Sequence, residues 1–316
     1  MAEMDRIVEI ARKKVDERRV PSKYKESTIE LISSMMSHDA YGNADYKWSL
    51  NDFELGHRLG RGKFGRVYSA RERKTHYVVA LKTIKKQEVV NGGVERQILR
   101  EIEIQTHLKH PNILQLLTWF QDEFRIYLVL EYAGQGELYN HLKNSPDGRF
   151  PEERSAKYVY QVADALEYCH KNHVIHRDLK PENILLTYED NVKISDFGWS
   201  VHAPSLRRNT MCGTLDYLPP EMVNNCEHSN YVDNWCLGIL CYEFCVGRPP
   251  FESKDSEETY QKIKTLKMRY PSCVPLGAVD LIKKLLVIQA HKRLQLKGVM
   301  VHPWITQHYQ PREYGH

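Results

Sequence analysis

No long apolar run interrupts this 316-residue chain, and its first residues, Met1-Ala2-Glu3-Met4-Asp5-Arg6, are charged. Neither a signal peptide nor a membrane span is expected, which points to an intracellular protein. Charge of one sign is also scarce. The 45 Lys and Arg stand against 41 Asp and Glu, and the first 50 residues hold nine of each kind. That balance gives no basis for a polybasic arm, so direct nucleic-acid or lipid binding is not expected. The seven cysteines are odd in number and include no CxxC pair, which argues against a disulfide framework and a zinc site and for reduced thiols. Cys236, Cys241 and Cys245 fall in one apolar helical stretch and read as core. Internal repeats and low-complexity segments are missing too. The hydrophobic content of 41% and charged content of 27% are those of an ordinary globular protein.

Residues 1–50 read as a separate extension, mobile or partner-docking. Arg6 to Arg19 could form a short helix with Ile7, Ile10, Ala11 and Val15 on one side, ended by Pro21. Residues 27–37 could form a second. From Phe53 short strands follow: 53–59, 67–70, 76–83 and 126–130. One helix interrupts them, with Val94, Ile98, Ile102 and Gln105 near helical spacing. After Gly134 the pattern becomes helical: Ala156, Val159, Tyr160, Ala163 and Leu166 recur at three and four, and Val232 to Val246 is apolar nearly all round. Strands followed by helices imply an α+β fold in two lobes, a small β-sheet lobe with one helix and a larger, mainly helical lobe, with a cleft for a small molecule. The expected limits are a small lobe over 53–130, a hinge at 131–134, a large lobe over 135–305 and a tail from 306 to 316.

The most informative stretch is His176-Arg177-Asp178-Leu179-Lys180-Pro181-Glu182-Asn183, followed thirteen residues later by Asp196-Phe197-Gly198. Transfer of a phosphoryl group from Mg-ATP to a hydroxyl needs one carboxylate to orient the hydroxyl, and an Asn and a second Asp to hold metal. Asp178 fits the first role, and Asn183 and Asp196 the others, with Mg²⁺ as the ion. Lys180 is placed to stabilise the transferring group. In Gly60-Arg61-Gly62-Lys63-Phe64-Gly65-Arg66-Val67, the glycines Gly60, Gly62 and Gly65 let backbone approach phosphates. A dinucleotide-binding loop opens a helix; this one leads into a strand, as a flap over a triphosphate would. Lys82, inside the apolar run Val79-Ala80-Leu81-Lys82, needs a partner. Glu101 is favoured by spacing over its rival Glu103. Leu59, Val67, Ala80, Leu130, Glu131, Ala133 and Leu185 are the expected adenine contacts, with Leu130 as gatekeeper.

These motifs resemble those of eukaryotic protein kinases from about Phe53 to Ile305. Asp196-Phe197-Gly198-Trp199-Ser200-Val201-His202-Ala203-Pro204-Ser205 and Thr210-Met211-Cys212-Gly213-Thr214-Leu215-Asp216-Tyr217-Leu218-Pro219-Pro220-Glu221 narrow the resemblance to the Aurora kinases. Trp199 and Pro220 stand where most kinases have other residues. Glu137 and Val274-Pro275-Leu276-Gly277-Ala278 are similar to the B and C branch, and His38-Asp39-Ala40-Tyr41-Gly42 with Trp48 is similar to an insect-type Aurora B.

The resemblance implies a serine/threonine kinase for R-x-[S/T] substrates, with Glu137 and Glu182 receiving the arginine. It implies activation by phosphorylation of Thr210 in Arg207-Arg208-Asn209-Thr210, with Arg177, Arg100 and Arg208 cradling the phosphate. Asp233 should accept backbone N–H groups of the catalytic loop, and Glu221 should pair with Arg293. The family further implies membership of the chromosomal passenger complex. Inner centromere protein would clasp the small lobe, survivin-like and borealin-like subunits would act indirectly, and histone tails and kinetochore proteins would be substrates. Localisation would be nuclear, on chromosomes and centromeres in mitosis and then at the spindle midzone. The alternatives are an Aurora A-type spindle-pole kinase and a pseudokinase binding module.

Overall fold

Ala2–Glu17 (α1) and Lys25–Met36 (α2) bury Ala11 and Val15 against Ile29, with Val8 and Ile32 half-buried beside them. Spacings of three and four from Val8 make the stripe Val8-Ala11-Val15, so Ile10, expected on this side, is exposed. The computed structural model describes residues 2–17, 25–41, 43, 45–62, 65–202 and 214–311, and divides into two compact units.

The first unit, Met1–Gly92 with Leu116–Tyr132, is built on a five-stranded antiparallel sheet. Its strands are Phe53–Gly62 (β1), Gly65–Glu72 (β2), Val78–Lys85 (β3), Leu116–Gln121 (β4) and Arg125–Glu131 (β5), ordered β1-β2-β3-β5-β4. Lys86–Gly92 (α3) follows β3. The sheet buries Phe53, Val79, Leu81, Phe120, Tyr127 and Val129, the apolar runs seen in the sequence. The sequence alone sets residues 1–50 apart, but His38 to Trp48 join this core. His38 stacks on Trp48 at 5.1 Å, Trp48 lies 5.6 Å from Phe53, and Phe53 stacks on Phe120 at 5.8 Å. Ala40 N–H donates to His38 Nδ1 at 2.9 Å, which leaves Nε2–H to donate to the buried Glu72 carboxylate at 3.3 Å.

The second unit, Gly93–Gln115 with Ala133–His316, is mainly helical. It contains Glu95–His107 (α4), the helix that the sequence pattern groups with the strands. Gln105 anchors α4 by donating to Leu114 O at 2.9 Å. Gly136–Glu137 (β6), Ile184–Leu186 (β8) and Val192–Ile194 (β9) form a three-stranded sheet, and Val174–Ile175 (β7) pairs with Val201–His202 (β10). The helices Leu138–Lys143 (α5), Glu152–Lys171 (α6), Pro220–Val223 (α7), Tyr231–Val246 (α8), Ser256–Thr265 (α9), Leu276–Leu285 (α10), Leu296–Met300 (α11) and Pro303–His308 (α12) complete it. Nearly every residue of α8 is buried, Cys236, Cys241 and Cys245 included, as its all-round apolar pattern requires. Among the described residues no helix is long and apolar enough to cross a membrane.

Candidate active site

The chemistry-bearing loop hangs from α8. Asp233 has no solvent exposure, and its carboxylate accepts the backbone N–H of His176 at 3.0 Å and of Arg177 at 2.9 Å. Asn230 donates to His170 Nδ1 at 3.3 Å, so His170 Nε2–H donates to Asp233, at 2.8 Å. Burial alone would raise this carboxyl, but the bonds from His170 and the backbone, with His170 and His176 nearby, hold it below the ordinary carboxylate range. The apolar helix thereby fixes the start of the loop.

Past this anchor, His176 Nε2–H donates to Ser195 O at 3.1 Å and Phe197 meets the imidazole edge-on at 4.9 Å. Those contacts bring the two motifs, separated in sequence, side by side. Ser195 N–H also donates to Asn183 O at 2.8 Å. The Asp178 carboxylate is 6% exposed and closely held. Asn183 Nδ2 donates to it at 2.9 Å, Thr214 Oγ1 donates at 3.2 Å, and Lys180 Nζ lies 3.3 Å away. Lys180 Nζ also donates to Thr214 Oγ1, at 2.7 Å.

Because the Asn183 amide nitrogen is turned to Asp178, its oxygen is the atom left for a cation. Asp196, in the left-handed region at φ 60°, accepts from Gly198 N–H at 3.3 Å. An amide oxygen and a carboxylate are hard donors that fit a magnesium-like ion. An added Cβ at Gly198 would press on Asp196 Oδ1 at 3.2 Å and would lie in ordinary contact with Glu101 Oε2 at 3.6 Å. Glu101 is thus buried beside the Asp196 turn.

In the sheet unit, Lys82 of β3 stands opposite Val67 of β2 and Leu128 of β5, and Ala80 stands opposite Leu130. Gly65 begins β2 where a Cβ would fall 1.6 Å from Thr83 O, so only glycine lets β2 approach β3 there. Leu59, Gly60 and Gly62 lie in β1, with Gly62 opposite Gly65. Glu131 closes β5. In the helical unit, Ala133 begins the chain toward β6, and Leu185 of β8 pairs with Glu137.

The Glu137 side chain is exposed, but partial loss of solvent raises its carboxyl and neighbouring Glu182 adds to the effect, so the two residues expected to receive arginine share one acidic patch. The sequence reading missed a third member. Glu243 on α8 is 4% exposed and accepts the Tyr217 hydroxyl. Burial pushes its carboxyl up to about 7, against the Tyr217 hydrogen bond and with help from Glu182. Apart from Asp233 it is the only charged residue in Tyr231–Val246, a signal that was available. Arg293, wholly buried, makes a bidentate pair with Glu221 at 2.6 and 2.7 Å, as expected. Arg100 is exposed on α4 and Arg177 is buried with φ 69°. Thr210 and Arg208 lie outside the described residues.

The protein kinase domain family matches residues 53–305. Aurora kinase B of Drosophila melanogaster is 58% identical over 295 residues, covering 93% of this chain and 89% of that protein. Aurora kinase B of Mus musculus is 57% identical over 258 residues, covering 82% and 74%. Aurora kinase C of the same species is 55% identical over 261 residues, covering 83% and 94%. The chain belongs to the protein kinase family, and its fold is the two-lobed kinase fold. Within that family it is an Aurora B-like serine/threonine kinase, an enzyme that uses ATP and a divalent metal ion to modify protein substrates. The pseudokinase and Aurora A alternatives are not favoured.

Proposed function

We propose that this kinase transfers the γ-phosphate of Mg-ATP to Ser or Thr in R-x-[S/T] sequences, as the catalytic subunit of a chromosomal passenger assembly. The observation that supports the chemistry best is the convergence of Asn183, Lys180 and Thr214 on the Asp178 carboxylate. Asp178 is held to accept the proton of an incoming hydroxyl, and Lys180 to meet charge on the transferring group. Asn183 and Asp196 would hold Mg²⁺, which supplies charge neutralisation at the phosphates. Lys82, with Glu101 as its proposed partner, would hold the α- and β-phosphates together with the glycines Gly60, Gly62 and Gly65. Leu59, Val67, Ala80, Leu130, Glu131, Ala133 and Leu185 receive adenine.

The acidic patch of Glu137, Glu182 and Glu243 supports selection of arginine before the target residue, because carboxylates match the guanidinium fork. Phosphorylation of Thr210, read by Arg100, Arg177 and Arg208, is the proposed switch. Inner centromere protein is the proposed activator. Survivin-like and borealin-like subunits are indirect partners, and histone tails and kinetochore proteins are proposed substrates. Nuclear and chromosomal localisation in mitosis belongs to the same proposal. The test is transfer from Mg-ATP to an R-x-S peptide, with and without the C-terminal segment of inner centromere protein. Activity that rises with the segment and disappears in Asp196→Asn is the expected result. Activity indifferent to the segment removes the passenger assignment, and equal activity on a peptide lacking arginine removes the specificity.

A further inference from the structure

Outside this site, three thiols gather where the end of α8 meets the turn before α10. A cavity of about 520 Å³ opens there, lined in part by Arg149, Cys245 and Cys273. Cys273 is exposed, and its thiol donates to the carbonyl oxygen of Cys245 at 3.9 Å. Arg149, held by Asp147 at 3.3 Å, lines the same region of the cavity wall as Cys273. Cys245 is only 4% exposed and borders Cys241 one helical turn earlier. The hydrogen bond with Cys245, and then burial, hold the Cys241 thiol far above its usual range, so Cys241 stays protonated and inert.

Packing accounts for Cys241 and Cys245, which fill the core of α8. It does not account for Cys273, a solvent-exposed thiol beside a guanidinium and against the backbone of a second cysteine. A cationic neighbour and access to solvent favour reaction at sulfur. A second thiol across a shared cavity provides the group that resolves the first oxidation product.

We propose that Cys273 is an oxidisable thiol and Cys245 its resolving partner, so that a hydroperoxide converts the pair into a disulfide joining the Pro271–Val274 turn to the end of α8. The Cys273 sulfur attacks one peroxide oxygen, the O–O bond breaks, and a sulfenic acid and water (from hydrogen peroxide) result. The Cys245 sulfur then displaces the hydroxyl from the Cys273 sulfur, forming the S–S bond and a second water. Two thiols are oxidised by two electrons and one peroxide is reduced. Because 28 positions separate the two residues, the bond closes a substantial loop of the unfolded chain, and the oxidised protein should melt at a higher temperature.

The experiment treats the full chain with hydrogen peroxide and maps tryptic peptides under non-reducing conditions, with dimedone present in a parallel sample. A Cys245–Cys273 linked peptide is expected, lost on adding dithiothreitol and absent from Cys273→Ser. In Cys245→Ala, resolution is blocked, so dimedone should label Cys273. The melting temperature should rise on oxidation of the unsubstituted chain, fall back on reduction, and stay unmoved by peroxide in Cys273→Ser. A link through Cys226 or Cys212 instead overturns the proposal, as does Cys273 recovered unmodified or only as sulfinic acid.

Discussion

Asn183 donates one amide nitrogen twice to Asp178, to its backbone carbonyl at 2.7 Å and to its carboxylate at 2.9 Å. The aspartate is therefore oriented before any substrate arrives. Asp178→Asn should lower kcat by ~10²–10⁴, the usual worth of a positioned base, while the melting temperature and the KM for ATP change little. Steady-state kinetics with an R-x-S peptide check this, and an unchanged kcat would remove Asp178 from the chemistry.

Asp233→Ala should destabilise the helical unit by several kcal/mol, since two backbone N–H groups and His170 lose their buried acceptor, at ~1–3 kcal/mol each. Asp233→Asn should be intermediate. Urea denaturation measures both. The Asp233 carboxyl lies below its ordinary value, so the stability it confers is present at neutral pH and is lost as pH falls through the acid range.

Glu243 titrates in the opposite sense. Its carboxyl is raised from 4.5 to about 7, so the folded protein binds the extra proton between those values and stability falls as pH rises through that window. Roughly 3–4 kcal/mol at most is at stake, at ~1.4 kcal/mol per pKa unit. Glu243→Gln should flatten this pH dependence in thermal melts. Affinity for an arginine-containing peptide should improve above about pH 7 in the unsubstituted enzyme, where Glu243 is ionised, and not in the variant. A KM profile of equal slope in both would separate Glu243 from peptide recognition.

Arg293→Met leaves Glu221 without its bidentate partner and should cost ~3–5 kcal/mol, whereas the double change Glu221→Leu, Arg293→Met should recover much of that loss. Melting temperatures of the single and double variants check the coupling. If each single change costs less than about 1 kcal/mol, the pair is not a structural clamp.

Trp48→Ala removes the ring between His38 and Phe53 and should lower stability by about 2–4 kcal/mol, with kcat little changed for the protein that remains folded. A melting temperature equal to that of the unsubstituted protein would show that the 38–52 segment does not brace the sheet.

Much of the candidate site was legible because its residue types sit at short spacings within single segments. Asp178, Lys180 and Asn183 span six positions, and Asp196 follows in a compact turn. The apolar periods of α6 and α8 likewise announced their burial. Glu243 was less visible, because one carboxylate in an apolar helix becomes informative only when its neighbours are known. The aromatic stack from His38 to Phe120 was not legible at all, since it joins side chains up to 82 positions apart that share no local pattern.

By itself, the order of residues determined the elements and the chemical groups available: a glycine-rich turn between strands, a lysine in an apolar strand, and a loop bearing Asp, Lys and Asn. Backbone propensity and hydrophobic period act over a few residues, and these features lie within that range. Tertiary structure alone decided that Thr214 reaches Asp178, that Glu243 joins Glu182, and that Cys273 meets the Cys245 carbonyl. Each is a contact between distant segments, set by how the helical unit packs around α8 and not by any local preference.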